Sequence, residues 1–388
     1  MRSSEMRMEM PNQIQLDLKS IWCFEEQPDL ECCMCMQTVS EEPLIRTFRV
    51  LQPEEEKQHG TKTLQTTNGE CLILYDRHLS CLLKGNVQYI TISHVWHKGI
   101  SDTQIQGPSE SQDPDVQHLV LHVPTEIAKS VSKALRKDVE IWHDYISVPQ
   151  WSPTVKTAIL QAMHRVYAES ALTVVHLEDV TPTMMDIFLD GEDDEARLKG
   201  MIGICNAKWY SRVWTAMEYI RSAKVRIMDS EFRLHGEESA QVYQEQLNKF
   251  WSEQIVKNEG DVKELEARLD IGENIVPWNL GSLSLCRADS NSRNFGLAFA
   301  LLSRRGCRDN YDFLYALQGI ITGSSVTKLD GENWDKSYLN LAQQCLKEGD
   351  YTPLLMTPEF GPEDGLDVRN MPANNVAEGY NDVYLDSI

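Results

Sequence analysis

The sequence has no uninterrupted apolar run of the roughly 20 residues that a membrane-spanning helix needs. Its first twenty residues also lack the apolar core of a secretory signal, because charged side chains interrupt that stretch throughout. Hydrophobic residues make up 41% of the chain, which is enough to bury a core of ordinary size. These features predict a cytoplasmic protein that has no membrane partner.

Basic residues are scarce. The chain has 37 Lys and Arg against 59 Asp and Glu, so its formal net charge is −22 at pH 7. Such a charge repels the phosphate backbone of nucleic acids and disfavours sequence-independent binding to them.

Three standard motifs are missing, namely the Walker loop, the G-x-G-x-x-G turn and the H-E-x-x-H helix. Their absence removes support for the usual nucleotide-binding loops and for zinc proteases. The ten cysteines are mostly scattered, and only Cys32 and Cys35 have C-x-x-C spacing. No second Cys or His pair stands at the usual zinc-finger distance, so we expect free thiols and no metal site.

From residue 70 onward, short β-branched and aromatic runs alternate with segments of helical periodicity. Strands are predicted near 89–95, 138–146, 171–177 and 223–228, with HLSCLL at 78–83 as a further strand; helices are predicted at 125–137, 152–170 and 205–222. This alternation predicts an α/β core with a mainly parallel sheet, in which ligand-binding groups lie beyond the carboxyl ends of the strands.

Composition predicts four regions along the chain. Residues 1–65 form an irregular arm with one strand near 43–50, 66–230 form the α/β core, 231–356 form a helical region packed on that core, and 357–388 form a weakly ordered tail. The tail carries seven acidic residues and one Arg, a composition typical of disorder. A polar stretch at 101–116 is long enough to predict a functional loop.

The stretch SRVWTAMEYIRSAK, residues 211–224, places Trp214 and Glu218 four residues apart on a predicted helix. Both side chains then share one face, where an indole could wall a pocket and a carboxylate could reach into it. Trp209 falls in the apolar stripe of the same helix. The alternative is that Glu218 forms a solvent-exposed ion pair with Arg221, which would contribute little to the stability of the fold.

Three further residues are candidates for a site. Asp144 lies near the end of the predicted strand 138–146, as a ligand-binding group or as a turn acceptor for the loop that follows. His94 could line the pocket mouth or sit in the core, and its odd separation from His97 along a strand disfavours a metal pair. Arg212 could grip a phosphate or carboxylate, or form a salt bridge to the acidic residues 188–200.

Four segments, in this order, resemble the fungal heterokaryon-incompatibility (HET) domain. They are YITISHVWHKG (89–99), IWHDYISVPQ (141–150), AILQAMHRVYAESALTVVHLED (158–179) and WYSRVWTAMEYIRSA (209–223). The positions that match the family's motifs are Trp96, Asp144, Gln150, Arg212, Trp214 and Glu218. The chain departs from the motifs at Ser147, Pro149 and Met217, where the family usually has Cys, Asn and Gln.

The HET core is in turn similar to TIR domains, which have a flavodoxin-like sheet and whose enzymatic members cleave NAD with a glutamate in a W-x-x-x-E motif. Trp214 and Glu218 have that spacing here. The resemblance implies an NAD glycohydrolase in fungal cell-death or self/non-self signalling, with NAD as substrate and no resident cofactor. It implies catalytic roles for Glu218 and Asp144, and substrate-binding roles for Trp96, His94, Trp214, Arg212 and Gln150.

Two alternatives stay open. The altered motif residues would suit a stand-alone biosynthetic transferase of fungal specialised metabolism, such as an aminoacyl-tRNA-dependent arginine-containing cyclodipeptide synthase. That enzyme would need a tRNA partner, which the net charge of −22 disfavours. The other alternative is a non-enzymatic signalling module. A homo-oligomer is compatible with all three hypotheses.

Overall fold

The computed structural model describes residues 14–16, 31–38, 44–52, 62–66, 68–97, 114–148, 153–236, 243–261, 282–287, 293–321 and 333–355. The predicted tail at 357–388, most of the predicted loop at 101–116, and Gln150 lie outside these residues. Within them, no helix is both long enough and apolar enough to cross a membrane.

The described residues contain nine strands. They are β1 (Ile14–Leu16), β2 (Leu44–Val50), β3 (Lys62–Gln65), β4 (Cys71–His78), β5 (Tyr89–Ser93), β6 (Glu140–Trp142), β7 (Leu172–His176), β8 (Val225–Met228) and β9 (Leu234–His235). Strand directions are mixed, so the α/β class is confirmed with a mixed sheet.

Helices separate most of these strands. They are α1 (Leu79–Lys84), α2 (Pro114–Leu135), α3 (Asp144–Ser147), α4 (Pro153–Ala168), α5 (Pro182–Asp190), α6 (Asp194–Cys205), α7 (Val213–Arg221), α8 (Tyr243–Lys257), α9 (Phe295–Ser303), α10 (Asn310–Ile321) and α11 (Trp334–Lys347). Two short 3-10 helices are also present, at Lys208–Ser211 and Thr352–Leu355.

The chain divides into two compact units, residues 1–90 with 96–159, and residues 91–95 with 160–388. In the first unit the strand order is β1-β3-β4-β2-β6. Here β1 and β3 run parallel, whereas β3/β4, β2/β4 and β2/β6 are antiparallel. Asp76 in β4 is buried and receives a bidentate contact from buried Arg46, at 2.6 and 3.0 Å, so this unit holds a desolvated ion pair inside its sheet.

In the second unit, the part of β5 from Thr91 onward is followed by β7, β8 and β9 in that order. The pair β7/β8 is parallel, and β8/β9 is an antiparallel hairpin. Buried hydroxyls join neighbouring elements here: Thr173 Oγ1 lies 2.7 Å from Thr91 Oγ1 and 2.6 Å from Ser222 Oγ, and Thr91 donates to Ser170 Oγ at 3.1 Å. Each of these polar groups is therefore satisfied inside the core.

Three predicted elements are wrong or shorter than expected. HLSCLL does not form a strand, because the chain leaves β4 at His78 and turns directly into α1. The strand predicted at 138–146 ends at Trp142, since the His143 side chain accepts the Tyr145 N–H and begins α3. The helix predicted at 205–222 is interrupted at Arg212, whose backbone is extended (φ −108°, ψ 141°).

Candidate functional site

Glu218 lies on α7, where only 8% of its surface is exposed. Its Oε2 accepts a hydrogen bond of 2.5 Å from Ser93 Oγ, and Ser93 Oγ accepts one of 2.8 Å from the Trp209 indole nitrogen. Ser93 and Trp209 are also buried. The three side chains form one continuous hydrogen-bonded chain, which we call the Glu218 network.

The Glu218 network draws on three different elements. Ser93 is the last residue of β5, Trp209 lies in the 3-10 helix Lys208–Ser211, and Glu218 lies in the second turn of α7. Thr215 holds the junction between the last two, because its hydroxyl contacts the carbonyl oxygens of Trp209 at 2.5 Å and of Arg212 at 2.9 Å. Side-chain hydroxyls commonly stabilise such helix starts in this way.

The burial of Glu218 rules out the solvent-exposed pair with Arg221 that was one reading of the sequence. A carboxylate in this position is removed from water, and a hydrogen bond to a charged acceptor is stronger than a neutral one. Since the Ser93 hydroxyl accepts the indole hydrogen, its own hydrogen is directed at Glu218, which fixes Oε2 as an acceptor. The hydrogen bond from Ser93 therefore holds Glu218 Oε2 in one orientation.

Trp214 is half-buried and packs against the helical region of the same unit. Its ring lies parallel to that of Tyr315 on α10, with the ring centroids 6.4 Å apart and the planes inclined by 15°. Leu314 and Tyr315 form the centre of this cluster. The indole that joins Glu218 through hydrogen bonds is thus that of Trp209, which the sequence placed only in an apolar stripe.

Arg212 contributes its backbone to the position of α7. The Val213 N–H donates to the Gly306 carbonyl at 3.2 Å, and the Gly306 N–H donates to the Ser211 carbonyl at 2.6 Å. Arg305 is fully buried and donates to the Arg212 carbonyl at 3.1 Å. Burial lowers the pKa of the Arg305 guanidinium to about 9. The start of α7 is therefore anchored by a costly buried cation.

Asp144 and Trp96 are brought together in the other unit. The Trp96 indole nitrogen donates to Asp144 Oδ2, and the Trp96 ring meets the Tyr145 ring edge to face, with centroids 5.2 Å apart and an angle of 87°. The Tyr145 hydroxyl also accepts the His97 N–H at 3.0 Å. Asp144, the first residue of α3, therefore fixes the orientation of the Trp96 ring.

His94 follows β5 directly and is half-buried, with its Nδ1 3.1 Å from the Val95 carbonyl oxygen. The candidate residues therefore fall into two groups. Glu218 shares hydrogen bonds with Ser93 and Trp209 in one unit, and Asp144 shares them with Trp96 in the other. That Trp96, Asp144, Trp214 and Glu218 face one pocket stays a prediction.

Two residues of these networks, Ser93 and Trp209, were not selected from the sequence as site residues. Ser93 lies within the predicted strand 89–95, and Trp209 lies in the apolar stripe of the predicted helix 205–222. The available signal was the motif itself, because both residues lie inside segments that carry the HET resemblance.

The comparisons agree with that signal. Residues 89–218 match the family model described as heterokaryon incompatibility protein (HET), and this range begins at β5 and ends at Glu218. No curated protein and no solved structure matches the chain.

Proposed function

Since residues 89–218 form a heterokaryon-incompatibility domain, we propose that the chain acts in heterokaryon-incompatibility signalling by cleaving the nicotinamide N-glycosidic bond of NAD. The observation that carries this proposal is the Glu218 network, which holds a buried carboxylate in one orientation. A preoriented charge of this kind is what cleavage of a glycosidic bond requires.

When the bond to nicotinamide breaks, positive charge develops on the ribose, as it does in glycoside hydrolysis. A carboxylate about 4 Å from that charge stabilises it by about 4 kcal/mol at an effective dielectric constant of about 20. This stabilisation corresponds to a rate factor of about 10³. Ser93 and Trp209 act as positioning residues, because their hydrogen bonds fix Glu218 Oε2.

The remaining candidates receive their roles from the resemblance. In the proposal, Asp144 is a second catalytic carboxylate, and substrate contacts come from Trp96, His94, Trp214, Arg212 and Gln150, on a TIR-like arrangement of the core. The hydrogen bond between Trp96 and Asp144 supports these two roles, because it holds an aromatic ring beside a carboxylate.

A second candidate function is a non-enzymatic signalling module. Two observations favour it: Glu218 Oε2 is already engaged by Ser93, and Trp214 is stacked on Tyr315. In that case the W-x-x-x-E residues serve to pack α7 against its neighbours.

The test is incubation of the purified full chain with NAD, with nicotinamide and ADP-ribose measured by chromatography. Glu218→Gln keeps the side-chain size and an acceptor for Ser93 but removes the charge, so release should fall by about 10³. The matched control is Glu195→Gln on α6, where the glutamate is exposed and pairs with Lys199 at 2.9 Å. This variant should release nicotinamide at the wild-type rate.

The melting temperature is measured on the same samples. Nicotinamide release that persists in a folded Glu218→Gln variant refutes the catalytic role of Glu218. If the wild-type chain releases none, and Glu218→Gln melts lower than Glu195→Gln, the structural role and the second candidate function are supported.

A further inference from the structure

Three cysteines and one histidine, none of which belongs to the HET-matched residues 89–218, converge in the first unit. The Sγ atoms of Cys32, Cys35 and Cys81 and a ring nitrogen of His78 all lie within 4.8 Å of one another. We call this set the Cys32 cluster. Cys32 is fully buried and His78 is buried, while Cys35 is exposed and Cys81 is half-buried, so the cluster lies at the edge of the core.

Two of the separations within the Cys32 cluster are close to those of a tetrahedron around one ion. His78 Nδ1 lies 3.4 Å from Cys35 Sγ and 3.7 Å from Cys81 Sγ. Zinc bound at about 2.3 Å to sulfur and about 2.0 Å to nitrogen requires ligand-to-ligand distances of about 3.5 to 3.8 Å in tetrahedral geometry. Small adjustments of the side chains would therefore suffice to place all four atoms around one zinc ion.

The first ligand pair comes from a tight loop at residues 31–38. The Cys32 N–H donates to the Gln37 carbonyl at 2.8 Å, and the Met36 N–H donates to the Cys32 carbonyl at 2.8 Å. Met36 has a left-handed backbone (φ 58°), which closes the turn after Cys35. The loop is thus shaped by its own backbone so that both thiols face one side.

Backbone N–H groups are directed at the Cys32 sulfur. These groups belong to the backbone of His78, Cys35 and Met34. A sulfur that receives several N–H groups is suited to carry negative charge, as a metal ligand must.

The second ligand pair is His78 and Cys81, at the turn from β4 into α1. The other ring nitrogen of His78, Nε2, lies 2.8 Å from the Thr38 carbonyl oxygen. Because a carbonyl only accepts, Nε2 carries the hydrogen and Nδ1 presents its lone pair to the three thiols. This is how metal-binding histidines are normally oriented by a second partner.

We propose that Cys32, Cys35, His78 and Cys81 bind one structural zinc ion. Three thiolates and one imidazole form a closed tetrahedral set that leaves no position for a substrate, as in structural zinc sites. The ion would join loop 31–38 to the end of β4, where the Cys33 N–H already donates to the Asp76 carbonyl at 3.0 Å. The spacing is C-x-x-C followed by H-x-x-C, with 42 residues between the pairs.

The test uses the full chain, stripped of metal under reducing conditions and reconstituted with Zn²⁺ alone. The wild-type chain should retain about one zinc per chain after dialysis, measured by elemental analysis. His78→Ala and Cys81→Ser should each lose the zinc or bind it at least tenfold more weakly. The matched control is Cys33→Ser, which replaces an exposed cysteine beside Cys32 and should keep the wild-type zinc content.

A second measurement keeps the proposal testable if a variant does not fold. Co²⁺ added to the metal-free wild-type chain should give the intense visible absorption of a tetrahedral thiolate site, and Zn²⁺ should abolish it. The proposal is overturned if the reduced wild-type chain retains no zinc and gives no such absorption. It is also overturned if the folded His78→Ala and Cys81→Ser chains bind as much zinc as Cys33→Ser, or if Cys32 is found in a disulfide that reductant does not open.

Discussion

Replacing Ser93 with alanine removes the central hydroxyl of the Glu218 network. Ser93 is fully buried, so water does not take its place without cost. The Trp209 indole N–H loses its acceptor, which costs about 1 to 3 kcal/mol, and the charged Glu218 carboxylate loses a hydrogen bond worth about 1.5 to 3 kcal/mol. We expect Ser93→Ala to lower the free energy of unfolding by about 2.5 to 6 kcal/mol.

A double-mutant cycle with Trp209→Phe isolates the hydrogen bond from the rest of the packing. Trp209→Phe removes the indole N–H and leaves a similar cavity whether residue 93 is Ser or Ala. The free-energy cost of that cavity therefore cancels in the cycle. In the Ser93→Ala background the indole has already lost its acceptor, and its removal should cost less. Urea unfolding of the four proteins should give a coupling free energy of about 0.5 to 3 kcal/mol.

Ser252→Ala serves as the control, because Ser252 is an exposed serine on α8 whose hydroxyl donates to the Asn248 carbonyl of the same helix at 2.9 Å. Ser252→Ala should change the free energy of unfolding by no more than about 0.5 kcal/mol. The role of the Glu218 network is refuted if Ser93→Ala lowers the free energy of unfolding no more than Ser252→Ala does and the double-mutant cycle is additive.

Two further predictions concern the packing and the protonation of the same unit. Gly200→Ala should lower the free energy of unfolding by about 1 to 3 kcal/mol, because its Cβ would lie 2.6 Å from the Phe188 backbone nitrogen. Gly203 lies on the same helix, and a Cβ there would lie 3.4 Å from Met184 Sδ, so Gly203→Ala should raise the free energy of unfolding by about 0.5 to 1 kcal/mol. Equal melting temperatures for Gly200→Ala and Gly203→Ala would contradict the packing of α5 on α6. Burial and two nearby arginines lower the pKa of His164 from 6.5 to about 4. Between these two pH values the unfolded chain binds more protons than the folded chain does. The free energy of unfolding should therefore fall as the pH drops from about 6.5 to about 4. Urea midpoints measured across this window should fall less steeply in His164→Gln, and identical slopes would show that His164 does not contribute.

The sequence predicted the elements whose pattern is local. β5 and β7 are continuous buried runs, β8 is buried except for the half-buried Arg226, and α4 has a clear apolar stripe after Pro153. Their positions were therefore found to within a few residues. The HET motif then identified the segments around Trp96 and Glu218, and the family match covers both.

Elements that depend on distant contacts were missed. The segment after His78 has a strand-like composition, yet it forms α1 because the chain reverses at the end of β4. His78 and Cys81 lie 43 and 46 residues beyond Cys35, and they meet it because loop 31–38 is held against β4. The spacing H-x-x-C was visible in the sequence, but it gave no reason to pair it with a C-x-x-C so far away.

The buried hydroxyls of Thr91, Thr173, Ser170 and Ser222 also fix how β7 lines up with its neighbours. Thr173 is the only hydroxyl-bearing residue of β7, and a slip of one residue would replace it with Leu172 or Val174. A slip of two residues would place Ala171 or Val175 there, so the facing hydroxyls would lose their partners in the core in either case. Each shifted alignment of β7 thus loses buried hydrogen bonds and is less stable than the native one. A strand of valine and leucine alone would tolerate these alignments almost equally.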